Sequence, residues 1–149
     1  MDLILWRHAD AADGYPDHER ELTDKGRGQA KRMAAWLNKR LPDDAIVLVS
    51  PAVRAQQTAE ALNRHFTRCD ALDTSTDSAM LLKAVRWPRA DGVSLVVGHQ
   101  PTLGHVASLL LTGAEGALGI KKGAIWWFAA GRAHKDHVVL RAVMSPEML

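Results

Sequence analysis

Cysteine is nearly missing from this chain, with Cys69 the sole example. No internal disulfide can form, and nothing in the cysteine usage marks an oxidising compartment. Long apolar runs are missing too. The N-terminus reads Met1-Asp2, then only Leu3 to Trp6 before Arg7, without the basic start and longer apolar stretch of a secretory signal. No segment approaches the ~18 apolar residues of a membrane span. The expected location is therefore cytoplasmic, with no membrane partner. Charge of one sign is not in excess either: a net +2 over 149 residues gives no ground for a nucleic-acid partner. Repeats, low-complexity tracts and linkers are absent. What remains is 47% hydrophobic and 24% charged, the balance of one globular domain over residues 1–149. A domain of roughly 150 residues takes about 68–70% of its unfolded surface out of water, enough for a real core.

Leu3 to Trp6 reads as a short buried strand ended by Arg7-His8. A polar loop follows to Leu22, and Thr23 is placed to cap a helix whose apolar stripe is Ala30, Met33, Ala34 and Leu37. Gly26 and Gly28 fall in its first turns, where each costs up to ~1 kcal/mol relative to alanine, so a close backbone approach is suspected there. Ala45 to Val49 is a second strand. Ser50-Pro51 then opens a helix with proline at its first position and Ala55, Thr58, Ala59, Leu62 and Phe66 as its stripe. Arg68 to Ser78 is the least legible stretch, with room for a short strand. Ser78 to Trp87 is expected to be helical, limited by Pro88. Val93 to Val97 is a third strand, ended by Gly98-His99, and Pro101 opens a helix with Leu103, Val106, Ala107 and Leu110 on one face. Ala124–Ala129 and His137–Val143 form a terminal hairpin around a polar turn near Gly131. Strands alternating with helices point to an α/β sandwich with a largely parallel sheet.

Three strands share a pattern: each apolar run stops abruptly at a basic or hydroxyl group. The first delivers Arg7 and His8, the second Ser50 and then Arg54, the third His99. If the strands are parallel, these ends meet at the carboxyl edge, where open α/β sheets bind ligands. Two arginines, two histidines and two helix N-termini suit an anion with several oxygens, because guanidinium forks match phosphate and helix N-termini carry partial positive charge.

The residues also carry a family resemblance. Leu5-Trp6-Arg7-His8-Ala9 resembles the Arg-His-Gly motif that opens the histidine phosphatase superfamily, with Ala9 where many members have glycine. Leu22-Thr23-Asp24-Lys25-Gly26-Arg27 resembles its Leu-Thr-x-x-Gly segment. Ser50-Pro51-Ala52-Val53-Arg54-Ala55-Gln56-Gln57-Thr58-Ala59 is similar to its Ser-Pro-x-x-Arg-Ala-x-Gln-Thr-Ala segment, and Val97-Gly98-His99-Gln100-Pro101 to its late Gly-His-x-Pro motif. The short length looks most like the SixA-type phosphohistidine phosphatases. The resemblance implies a three-layer α/β/α sandwich of the phosphoglycerate mutase-like kind. It implies that His8 is a nucleophile that becomes phosphorylated. Arg7, Arg54 and His99, with Ser50 beside them, would hold the phosphoryl oxygens, and a protonated His99 would add positive charge.

The chemistry agrees. Neutral imidazole is a competent nucleophile near pH 7, and arginines can neutralise phosphoryl oxygens without metal. No cofactor and no metal site are expected. The expected substrate is a phosphohistidine-bearing protein. The alternatives are a small phosphorylated metabolite, or a module that binds phosphate without turnover. Arg68 to Gly92 is too short for the shielding insertion that resemblance to mutases implies. Asp77 and Asp17 are the candidate proton donors, with Asp10, Glu19 and Asp73 behind them, though Asp77 is also placed to cap a helix. His105 reads as structural, His18 and His65 as surface residues, His134-x-x-His137 as part of a polar turn, and Trp126-Trp127-Phe128 as core.

Overall fold

The computed structural model describes residues 1–134 and 137–149. In chain order the elements are β1 (Asp2–Arg7), α1 (Asp24–Asn38), β2 (Ile46–Val49), α2 (Val53–Glu60), β3 (Thr67–Arg68), α3 (Ser78–Ala84), β4 (Val93–Gly98), α4 (Thr102–Thr112), β5 (Ile125–Ala130) and β6 (Val138–Met144). Short 3-10 turns occur at Asp17–Glu19, Asp70–Leu72 and Pro146–Met148. The six strands form one sheet in the order β3-β2-β4-β1-β5-β6. The first four of these run parallel; β5 is antiparallel to β1, and β6 to β5. The largely parallel sheet and terminal hairpin are thus as expected. The part of the expected polar turn at 135–136 lies outside the described residues.

β1 sits in the middle of the sheet, and Leu3, Ile4, Leu5 and Trp6 are fully buried. A strand covered on both faces needs apolar residues at every position, not alternate ones. Its side chains still alternate. Ile4 and Trp6 pack with Met33 and Leu37 of α1 and Ala55 and Ala59 of α2. Leu3 and Leu5 pack on the other face with Leu81 of α3, Leu103 and Val106 of α4, and Phe128. A period of two along one strand therefore builds three layers.

Several ends differ from the expected ones, each for a local reason. The Ser50 hydroxyl accepts from the Ala52 amide at 3.2 Å. This makes Ser50-Pro51-Ala52 a turn, with Ala52 extended, so α2 begins at Val53 instead of at Pro51. The helix stops at Glu60 and does not reach Phe66. α3 stops at Ala84, short of Trp87, because Arg86 adopts a left-handed φ of 55°. The Trp87 amide then donates to Leu82 O and the Arg86 amide to Lys83 O, both at 3.0 Å, closing the helix end. The short strand near the illegible stretch is the two-residue β3.

α1 starts as expected, with Thr23 Oγ1 accepting from the Gly26 amide at 3.0 Å. The suspicion about Gly26 holds: a Cβ there would lie 1.9 Å from Asp10 O. Gly28 is different, since its Cβ would meet only the end of the Arg32 side chain, at 3.3 Å. The pairing register sets Arg7 beside Gly98 and Val49 beside Val97, so the three strand ends meet at one edge of the sheet.

Candidate active site

His8 follows β1 directly, and its amide donates to Gly98 O at 3.1 Å. Its ring nitrogen Nδ1 lies 2.7 Å from Ala9 O. A carbonyl can only accept, so Nδ1 carries the proton and Nε2 keeps its lone pair. The Ala9 amide donates to Thr58 Oγ1 at 3.0 Å, and that hydroxyl donates to Arg54 O at 2.7 Å. The backbone after His8 is thereby tied to α2. Ala9 is not among the non-glycine residues at positive φ, so this turn does not require glycine. Burial pushes the His8 pKa down to about 4, with Arg54 and Arg7 adding to the effect and the Ala9 bond opposing it.

His99 lies beside it, the two ring centroids 5.2 Å apart and the planes inclined at 54°. His99 Nε2 is 2.7 Å from Ser50 Oγ. Ser50 Oγ accepts from the Ala52 amide, and among the described residues its hydrogen has no acceptor but Nε2; with the hydroxyl donating, the proton of neutral His99 sits on Nδ1. Burial first, then His8 and Arg54, lowers His99 to about 3. The expected protonated His99 is therefore not the state of the free site; it supplies a neutral N–H donor. Ser50 differs from expectation as well. It is fully buried, and its hydroxyl orients His99 instead of facing a ligand.

Arg54, in the first turn of α2, is almost completely buried. Its Nη1 donates to Asp17 O at 2.9 Å and its Nη2 to Asp17 Oδ2 at 3.1 Å. Arg7 Nη1 donates to Ile120 O at 2.8 Å. Among the described residues, four buried side-chain polar atoms lack a partner, and three of them are Arg7 Nε, Arg54 Nε and His99 Nδ1. Buried donors in native proteins are almost always satisfied. Three orphaned N–H groups on the residues gathered round His8 make a receptor for oxygen atoms. No group of three or more His, Cys, Asp or Glu side chains that could hold a metal ion occurs among the described residues.

The two candidate proton donors are both engaged. Asp77 Oδ1 accepts from the Met80 amide at 2.8 Å and caps α3. Asp17 bonds Arg20 Nη1 at 3.0 Å as well as Arg54, and the Arg20 bond, with help from Arg54, holds its carboxyl below the usual range. In this arrangement Asp17 orients Arg54 and stores no proton. A pair that sequence reasoning missed lies next to it. His18 Nε2 is 2.6 Å from Asp73 Oδ1, and both Asp17 and Asp73 act electrostatically on His99. The partners stand 55 residues apart, and no local spacing signals them.

A model of the histidine phosphatase superfamily (branch 1) matches residues 3–80. The phosphohistidine phosphatase SixA of Escherichia coli strain K12 is 31% identical over 122 residues, which is 76% of each chain. An uncharacterized protein of Picosynechococcus sp. is 35% identical and covers 100% of this chain and 99% of its own. Among solved structures, the protein histidine phosphatase SixA complexed with tungstate superposes with a TM-score of 0.83 at 26% identity, covering 99% of both chains. No described helix is long and apolar enough to cross a membrane. The fold is the phosphoglycerate mutase-like fold of SixA, and this chain belongs to the histidine phosphatase superfamily, in its SixA-like branch.

Proposed function

We propose that the protein is a phosphohistidine phosphatase that works through a phosphorylated His8 without a metal ion. The observation that carries the reading is the tautomer of His8: its Nδ1 proton is held by Ala9 O, which leaves Nε2 free to attack. In the first step Nε2 forms a bond to phosphorus while the bond to the leaving imidazole breaks. That imidazole, protonated from solvent on its other ring nitrogen, departs as the neutral ring. Arg7, Arg54 and the Nδ1 proton of His99 take up charge on the three phosphoryl oxygens. In the second step water attacks phospho-His8, releasing phosphate and restoring the imidazole. The reported tungstate complex of a SixA structure supports the reading, since tungstate is a tetrahedral oxyanion like phosphate. The E. coli relative is a phosphohistidine phosphatase.

Phosphohistidine is favoured over a phosphate ester by the leaving group. Expelling an alkoxide benefits from a positioned acid worth ~10²–10⁴ in rate, and Asp17 and Asp73, the two carboxylates that act on His99, are bound by Arg54 and His18. Imidazole, with a free pKa near ~6.5, leaves after simple protonation. The test compares kcat/KM for a phosphohistidine peptide, phosphoserine and sugar phosphates, with and without chelator. Phosphohistidine should be preferred, and turnover should survive chelation. A clear preference for a sugar phosphate would favour the metabolite reading. Loss in chelator with recovery on adding a divalent ion would overturn metal independence.

A further inference from the structure

Arg7 belongs to two surfaces. One is the cluster round His8; the other is a cleft of about 560 Å³ beside it. Five cationic side chains line that cleft: Arg7, Lys25, Arg32, Lys121 and Lys122. Its two carboxylates are already bound, Asp10 by Lys122 at 2.9 Å and Glu147 by Lys121 at 2.7 Å. Lys25 and Arg32 carry no ion pair among the described residues. They stand seven residues apart on α1, two turns along one helix face. The net charge of +2 hides this concentration of positive charge next to the nucleophile.

We infer that the cleft receives an acidic segment of the substrate protein, with carboxylates near the phosphohistidine; this rests on the phosphohistidine reading. Two features select an acidic chain over a second phosphate group. The free cations are exposed and on flexible stems, whereas a compact phosphate is held by converging, preorganised donors of the kind found on Arg7, Arg54 and His99. The two free cations lie about 10 Å apart along the helix axis, which about three residues of extended chain would span. Exposed charges of this kind steer an anionic partner and speed its capture, with an effect that salt weakens.

The test uses two synthetic phosphohistidine peptides, one flanked by glutamates and one by lysines, with the wild type and the Lys25→Glu/Arg32→Glu variant. The wild type should prefer the glutamate peptide, and more so at low salt. The variant should lose roughly tenfold in kcat/KM on that peptide, as expected for two reversed surface charges, while hydrolysing free phosphohistidine as the wild type does. Binding is measured separately with a fluorescent glutamate-rich peptide that carries no phosphate. It should bind the wild type more tightly than the variant even if phosphohistidine proved to be the wrong substrate. Equal binding by the two proteins overturns the cleft assignment. A sugar bisphosphate that depends on Lys25 and Arg32 more strongly than the glutamate peptide does also overturns it, by giving the cleft to a second phosphate.

Discussion

A histidine serves as a nucleophile only when one ring nitrogen is both free and unprotonated, and His8 meets the two conditions through different forces. A hydrogen bond fixes which nitrogen is free, and burial keeps the ring neutral. The acid limb of the phosphorylation step should therefore fall near pH 4, not near the ordinary ~6.5, when a small phosphoryl donor that does not itself titrate there is used. The same shifts act on stability. Between the folded values, about 4 for His8 and about 3 for His99, and ~6.5, the unfolded chain binds protons that the folded chain does not. The contribution of these two residues is thus complete above ~6.5 and is lost as pH falls toward about 4 for His8 and about 3 for His99. A His99→Asn variant should show a shallower fall of Tm over that window. Asp17 is tested by its leaving-group dependence. Asp17→Asn should lower turnover of every substrate by a similar factor, because it loosens Arg54; a proton donor would instead be missed most with the poorest leaving groups. The residues of this site were readable in proportion to how local their signal is. His8, Arg7, Arg54 and His99 each sit in a motif at a strand end. The part played by Ser50 depends on which way the His99 ring turns, and the His18–Asp73 pair on two distant loops meeting, so neither could be read from spacing.

At the scale of elements, the loop after His8 is held by its fit against α1. Asp10 O approaches Gly26 so closely that a Cβ would overlap it at 1.9 Å, and the Asp10 amide donates to Gln29 Oε1 at 2.9 Å. Gly26→Ala should force helix and loop apart, costing roughly 1–3 kcal/mol or more in urea unfolding and lowering activity with it. Gly28→Ala meets only a movable arginine tip and should be neutral or gain up to ~1 kcal/mol from helix propensity. Asp77→Ala should cost about 1 kcal/mol as a lost cap, without changing the preference among leaving groups. Short continuous apolar runs located the strands and a 3.6-residue stripe the helices, because burial on both faces leaves no polar position and burial on one face leaves a stripe. Their ends were less legible. The start of α2 is set by a single hydroxyl contact at Ser50 and the end of α3 by Arg86 in a left-handed conformation, where a glycine would have been the readable signal.

For the molecule as a whole, function follows from parallel strands finishing at the same edge. β1, β2 and β4 lie side by side, so three motifs 40 or more residues apart in sequence meet at one place, where the proposed reaction would hold its phosphoryl group. That convergence could be inferred from the alternation of strands and helices, since parallel pairing follows from helical crossovers. The basic cleft could not. It joins α1, the segment before β5 and the C-terminal turn, and a balanced total charge gave no hint of it. A nucleophilic His8 must carry the phosphate covalently for part of each turnover, so the bond can be trapped. Protein quenched in alkali during turnover and analysed by mass spectrometry should carry one phosphate on the imidazole of His8, stable to base and lost in acid. The His8→Ala protein should remain folded and unlabelled. A wild-type enzyme that turns over with no phosphate on His8, or a His8→Ala protein labelled in full at another residue, would contradict the account.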